Sequence, residues 1–130
     1  IRAANFAAAN CLFGGFDNRS TPGWHRLFLR SMRCHLGLLQ RVLTEGAGNN
    51  HAVAEAAALY LSAAFLPVLP QRAACLHRAR TALTRQLERQ VREDGTHFEG
   101  SLYYHLFTLE MWLNPAIIGA AMGDDFGPDY

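Results

Sequence analysis

Apolar residues recur at steps of three and four along most of this chain, and that spacing restricts the fold more than any other feature. Such steps place side chains on one face of an α-helix. No segment shows sustained alternation with β-branched residues, so no strands are predicted. The sequence therefore predicts an all-α fold. The clearest run comprises Trp24, Leu27, Phe28, Met32, Leu36, Leu39, Val42 and Leu43.

Capping and breaking residues set the predicted ends of the first two helices. The opening stretch "IRAANFAAANCLF" is typical of a helix already under way at its first residue. Thr21-Pro22, a hydroxyl cap followed by a proline, predicts the start of the second helix. Gly46 and Gly48 predict its end, because glycine commonly follows a helix C-terminus.

Four further helices are predicted after residue 49. The first two cover residues 50–66 and 71–91, and a third carries Tyr103 to Leu113 behind a Ser101 cap. Asn114-Pro115 should stop that helix, and a separate short helix, "AIIGAAM", should follow. Because short loops join these helices, we expect antiparallel helical hairpins in one domain, residues 1–130. Residues 121–130 are turn-rich and acidic, and they are expected to begin a connector within a longer parent chain.

The composition excludes several classes of protein. The net charge is only +1, and the basic residues are arginines spread along the chain, so a nucleic-acid partner is not predicted. The most apolar stretch contains Glu55 and breaks at Pro67, so a membrane span is not predicted either. The 3 cysteines lack CxxC spacing, which predicts buried free thiols rather than disulfides or a zinc site.

The first polar cluster stands at the predicted start of the third helix: Asn49, Asn50 and His51, with Glu55 one turn later. Asn49 is expected to cap the helix, which leaves Asn50 free for function. A helix start favours an anion such as a carboxylate, and amide donors reinforce that preference. His51 and Glu55 have the spacing of a metal pair, but HExxH is absent and no third ligand is evident, so no metal and no cofactor are predicted.

The second polar cluster, "DGTHFEGSLYYH", covers residues 94 to 105 and precedes another helix. It holds His97, Glu99, Tyr104 and His105, beside Tyr103. Adjacent tyrosines on a helix cannot both face one way. If the two helices are neighbours, both clusters border one cleft. A tyrosine, a histidine and an amide near helix starts suit proton transfer next to a carboxylate.

Together the two clusters resemble the helical domain of the heparinase II/III-like polysaccharide lyases. "GNNH" at residues 48–51 with Glu55, "QLERQ" at residues 86–90, and the "DGxHFExSxxYH" pattern at residues 94–105 match that family in order and separation. The resemblance implies part of an incomplete (α/α) toroid. It also implies a β-sandwich domain elsewhere in the parent chain, contributing a further catalytic histidine, and an acidic polysaccharide or oligosaccharide substrate. Members that degrade polysaccharide are typically exported by bacteria, which favours a periplasmic or secreted location.

The activity that the resemblance implies is β-elimination on a uronic-acid-containing polysaccharide. Asn50 is then expected to contact the substrate carboxylate, Tyr104 to protonate the leaving oxygen, and His51 to assist proton transfer. The remaining polar residues of both clusters are expected to bind substrate or support those three. They are Asn49, Glu55, His97, Glu99 and His105.

Two other functions fit the same residues. One is a non-catalytic carbohydrate-binding or scaffolding helical domain. The other is a helical-toroid glycoside hydrolase, in which Glu55 and Glu99 form the acid/base pair about 5–10 Å apart.

Overall fold

The computed structural model of the protein describes residues 1–13, 23–43, 48–128 and 130. Within those residues the all-α prediction is confirmed. The one isolated β-bridge there pairs Val91 with His97 in antiparallel fashion. The described helices are α1 (Arg2–Leu12), α2 (Trp24–Val42), α3 (Asn50–Phe65), α4 (Arg72–Gln90) and α5 (Leu102–Met122).

Helix α3 lies at the centre of the fold, in contact with each of the other four helices. Its sequence explains this position, because alanine side chains are small and let neighbouring backbones approach closely. Ala56, Ala57 and Ala63 are fully buried, as are Leu59 and Tyr60. A helix that is apolar all round belongs in the interior of a domain.

Helices α3 and α4 form the predicted antiparallel hairpin. At one end, Arg72 Nε donates to the carbonyl of Ala63 at 3.2 Å. At the other end, Gln90 Nε2 donates to the carbonyl of Asn49 at 3.0 Å. The start of α3 and the end of α4 therefore lie together. The closure of such hairpins into a toroid stays a prediction.

Helix α5 corrects the prediction that Asn114-Pro115 stops one helix before another begins. The helix runs without interruption from Leu102 to Met122, with Pro115 inside it. A proline within a helix removes a hydrogen bond and crowds the preceding turn, at a cost of about 3 kcal/mol. Here Pro115 is buried on the same side as Met111 and Trp112. Burial of this apolar face offsets the local cost, and tertiary packing overrides the sequence signal.

The other predicted helix ends lie close to those observed. Gly23, in the left-handed region with φ of 88°, precedes α2, whereas Thr21-Pro22 and Gly46 lie outside the described residues. Helix α3 ends one residue earlier than predicted, and α4 is one residue shorter at each end. Differences of this size are normal at helix termini.

The C-terminal segment packs back onto the helices. Helix α5 includes residues 121 and 122, and the segment that follows it begins at Gly123. The Tyr60 hydroxyl donates to Asp124 Oδ2 at 2.7 Å, and Arg80 forms a salt bridge with the same carboxylate. The Tyr130 hydroxyl donates to the carbonyl of Trp112 at 3.1 Å. That the segment leads into a connector stays a prediction.

All three cysteines are free thiols, as predicted, but the predicted burial is correct for one residue and wrong for two. Cys75 is buried, whereas Cys11 and Cys34 are exposed. Both exposed thiols lie on the outer helices α1 and α2, while Cys75 lies on the face of α4 that meets α3. Across the described part of the chain, none of the helices has the length and apolarity needed to cross a membrane.

Candidate functional site

Asn49 caps helix α3, as predicted. Its backbone is extended, with φ of −142° and ψ of 171°, and its Oδ1 accepts a hydrogen bond from the Ala52 N–H at 3.2 Å. An asparagine cap satisfies one of the N–H groups that a helix start leaves without an intrahelical partner. The Asn49 side chain therefore has a structural role in this helix.

Asn50, the first residue of α3, is paired with Glu99. Its Nδ2 donates to Glu99 Oε1 at 3.2 Å and lies 3.4 Å from Oε2. Its backbone N–H also donates to Oε1 at 3.4 Å. Asn50 is only 9% exposed. The sequence predicted an anion at this helix start, and the chain itself supplies one, because the carboxylate of Glu99 meets the N–H groups there.

His97 lies behind this pair and is almost completely buried, at 1% exposure. Its Nε2 lies 2.9 Å from Gln90 Oε1, and its Nδ1 accepts the Glu99 backbone N–H at 3.4 Å. Gln90 donates through Nε2 to Gln86 Oε1 at 2.7 Å and to the carbonyl of Asn49 at 3.0 Å. Since Gln90 turns its oxygen toward His97, the network assigns the proton of His97 to Nε2.

The charge state of His97 follows from its burial. Desolvation lowers the pKa of His97 below its ordinary value of about 6.5. Electrostatic interaction with Glu99 acts in the opposite direction, and interaction with His105 and Arg92 lowers the pKa of His97 further. His97 is therefore neutral at pH 7, which agrees with one ring nitrogen donating and the other accepting.

A tight turn at Asp94-Gly95, a dipeptide typical of turns, returns the second cluster to the end of α4. Asp94 Oδ1 accepts from the N–H of Thr96 at 2.9 Å and from its hydroxyl at 2.7 Å. These hydrogen bonds lower the pKa of Asp94. Gly95 takes a φ of 81°, which few other residues adopt. The Phe98 N–H then donates to the carbonyl of Gln90 at 2.8 Å. This turn is the reason that Glu99 reaches the start of α3.

Tyr104 stands in the first turn of α5 and is 39% exposed, against 73% for Tyr103. The two rings meet edge to face with their centroids 5.6 Å apart. Ser101 occupies the N-cap position, as predicted, but its side chain makes no capping hydrogen bond. Among the residues that the structure describes, no side chain hydrogen-bonds to the Tyr104 hydroxyl. That phenol is accessible for contact with a ligand.

The other predicted site residues have different surroundings. His51 is exposed in the first turn of α3. Glu55 is half-buried, and its Oε2 has no hydrogen-bond partner among the described residues. His105 lines an apolar cavity of about 450 Å³ beside Trp112 and Tyr130. The structure thus joins Asn49, Asn50, His97 and Glu99 in one network, and it places His51, Glu55, Tyr104 and His105 outside that network.

Gln86 and Gln90 complete this network, although the sequence predicted no role for them. Both are 1% exposed. Leu76, Leu83 and Leu87 of α4 and Val91 after it have the spacing of a buried helical face, but only Leu83 of these is fully buried. The signal was present in the sequence, because two glutamines four residues apart continue the spacing of Cys75 and Ala79 along one helix face.

The described residues include no group of three or more histidine, cysteine, aspartate or glutamate side chains that could hold a metal ion.

A family model described as "Heparinase II/III N-terminus" matches residues 9–129 of the chain. This match covers α2 to α5 and therefore both polar clusters. No curated protein and no solved structure matches the chain.

Proposed function

We propose that the chain, which belongs to the heparinase II/III N-terminal family, forms the helical part of a polysaccharide lyase. The proposed reaction is β-elimination on uronic-acid-containing polysaccharide. The observation that carries this proposal is the hydrogen bond between Asn50 and Glu99. It joins the start of α3 to the segment that leads into α5. The first turns of both helices, bearing Asn50 and Tyr104, therefore lie at one end of the domain.

In the proposed reaction a base removes the proton at C5 of a uronate, beside its carboxylate. The electron pair of the C5–H bond forms the C4–C5 double bond, and the bond between C4 and the glycosidic oxygen breaks. That oxygen takes up a proton and leaves with the other half of the polysaccharide. No water is consumed, so one product carries an unsaturated sugar at its end.

Asn50 is proposed to stabilise the charge that develops on the substrate carboxylate when the C5 proton is removed. A preorganised donor of this kind contributes about 3–4 kcal/mol to the transition state. The Nδ2 group of Asn50 carries two hydrogens, and one hydrogen shared between the oxygens of Glu99 can account for both contacts. The second hydrogen can then be donated to substrate.

Tyr104 is proposed to protonate the leaving oxygen. Its 39% exposure supports this role, because the hydroxyl can reach a sugar without rearrangement of the core. An ordinary tyrosine has a pKa of about 10, so service as a base as well requires a cationic or hydrogen-bonding neighbour. Candidates for that neighbour are the exposed His51 and the histidine that the family resemblance implies in a β-sandwich domain.

The same Asn50–Glu99 contact favours a second candidate, a non-catalytic carbohydrate-binding or scaffolding domain. If Asn50 serves only to bind Glu99, the contact fixes the fold and leaves no amide for a substrate. The two candidates differ in one outcome. In a lyase, replacement of Tyr104 by phenylalanine abolishes turnover. A scaffold has no turnover, and the same replacement leaves its ligand binding unchanged.

The proposal is tested by incubating the full-length protein with heparan-type and alginate-type polysaccharides. β-Elimination produces a gain in ultraviolet absorbance from the new double bond, and products lighter by one water than those of hydrolysis. Products that have gained one water per bond cleaved, and that show no such absorbance, would instead support a glycoside hydrolase. Neither absorbance nor cleavage on any uronate polymer would contradict catalysis.

A further inference from the structure

The hydrogen bonds around Asn50 close into a ring. Gln90 donates to the carbonyl of Asn49, and His97 donates to Gln90 Oε1. The Glu99 N–H donates to His97 Nδ1, and Asn50 donates to the carboxylate of Glu99. The ring closes through the backbone, because Asn49, which accepts from Gln90, is bonded directly to Asn50, which donates to Glu99.

Every bond in this ring has a fixed direction. A carboxylate only accepts, so the nitrogen of the Asn50 carboxamide must face Glu99. Gln90 donates both hydrogens of Nε2, one to Gln86 and one to Asn49, so only its oxygen can bind His97. Reversal of any amide in the ring would oppose two acceptors or two donors in a buried place, which is costly.

We propose that Glu99 is a positioning residue whose carboxylate fixes the direction of the Asn50 carboxamide, while the ring through His97 and Gln90 holds Glu99 in place. This inference rests on the proposed function and deepens it. Glu99 acts through Asn50 and does not contact the sugar. The sequence prediction left three roles open for Glu99, namely substrate binding, support of Asn50, His51 and Tyr104, and service as a hydrolase acid. The present inference selects the supporting role and directs it to Asn50.

The contacts of Glu99 support positioning over substrate binding. Both of its carboxylate oxygens lie within 3.4 Å of Asn50, and Oε1 accepts from the backbone and the side chain of that residue. A uronate carboxylate brought against Glu99 would be repelled by its charge. A uronate carboxylate brought against the Nδ2 group of Asn50 would instead meet a hydrogen-bond donor whose direction Glu99 has fixed.

The test compares Glu99→Ala with Glu99→Gln in the full-length protein. Glutamine keeps an uncharged oxygen that can replace Oε1, the atom with two of the three contacts. Alanine keeps none. We expect Glu99→Ala to lower kcat about 100-fold through misplacement of Asn50, with little change in KM. Glu99→Gln should stay within about threefold of the wild type in both constants. Glu93→Ala, at an exposed carboxylate in the same loop, is the matched control.

Three kinetic outcomes would overturn the inference. Equal loss of kcat in both Glu99 variants would mean that the charge itself is needed. An effect confined to KM would make Glu99 a substrate ligand. Wild-type kinetics for Glu99→Ala would mean that Asn50 needs no positioning.

A second readout separates this inference from the proposed function, because it requires no turnover. The side-chain NH₂ resonances of Asn50, assigned by their loss in Asn50→Ala, should shift in Glu99→Ala and stay in place in Glu99→Gln. If the wild type has no lyase activity, the proposed function fails while this comparison still reports on positioning. Unmoved resonances in Glu99→Ala would overturn the positioning role directly.

Discussion

The side-chain nitrogen of Asn50 lies 3.2 Å from the carboxylate of Glu99, across 49 residues of sequence. This contact places the amide that begins α3 against the segment that enters α5. Both polar motifs thereby meet at one end of the central helix. The proposed site requires both motifs, since the first supplies the amide and the second supplies the phenol.

Replacement of Asn50 by alanine should reduce both activity and stability. Loss of one preorganised donor lowers kcat about 100- to 1000-fold in comparable sites. The half-buried carboxylate of Glu99 would also lose its side-chain donor and keep only the backbone N–H of residue 50, which should reduce the free energy of unfolding by about 1–3 kcal/mol. Steady-state kinetics and urea denaturation measure the two effects. Asn5→Ala, at an exposed asparagine in α1, is the control; it should leave kcat unchanged and should not lower the free energy of unfolding, because alanine has the higher helix propensity. Unchanged kcat for Asn50→Ala would remove Asn50 from the mechanism.

The stability of the protein should fall as the pH drops below about 6.5, because of His97. Burial lowers the pKa of His97 in the folded state. The unfolded chain therefore binds a proton near pH 6.5, where the folded chain does not, and the free energy of unfolding decreases with falling pH. The decrease is at most about 1.4 kcal/mol per pH unit, and it ends below the folded-state pKa.

This dependence is measured by urea denaturation across the acid range, with His97→Gln as the comparison. Glutamine can donate to Gln90 in place of the imidazole Nε2–H, but it does not titrate. The variant should therefore lack this part of the pH dependence. Equal slopes for the two proteins would show that His97 does not contribute.

Two glycine-to-alanine substitutions should have opposite effects on stability. A Cβ added at Gly119 would lie 2.6 Å from the carbonyl oxygen of Asp124 and 2.7 Å from the Tyr60 hydroxyl. Displacement of this packed contact should lower the free energy of unfolding by about 1–3 kcal/mol. At Gly37, within α2, nothing lies within 4 Å of the added Cβ. Alanine at this position should raise the free energy of unfolding by about 0.5–1 kcal/mol, because alanine has a higher helix propensity than glycine. Chemical denaturation of both variants checks the signs, and stabilisation by Gly119→Ala would contradict the close packing.

The helices were predictable from the sequence where local signals agree with the packing. The Asn49 cap fixed the start of α3, and the prolines after Leu66 marked its end. The same local reasoning failed at Pro115, because the burial of Met111 and Trp112 keeps α5 continuous. A proline signal describes the local backbone, whereas the length of this helix is decided by its neighbours.

The site was less predictable than the fold. Local sequence identified Asn50 and Glu99 as polar residues near helix starts, but it could not pair them. Their contact depends on the turn at Gly95 and on the packing of α3 against α5. The roles of Gln86 and Gln90 were missed for the same reason, since their burial becomes evident only once α3 is placed beside α4.

The donation of a proton by Tyr104 in the proposed β-elimination can be tested by two neighbouring substitutions. Tyr104→Phe and Tyr103→Phe each remove one hydroxyl from the first turn of α5, and both should preserve its helix content. The measurement is the rate of ultraviolet absorbance gain when the full-length variants act on a uronate polysaccharide that the wild type cleaves. We predict that Tyr104→Phe abolishes the gain and that Tyr103→Phe keeps it. A Tyr104→Phe variant that produces unsaturated ends at the wild-type rate would contradict the account.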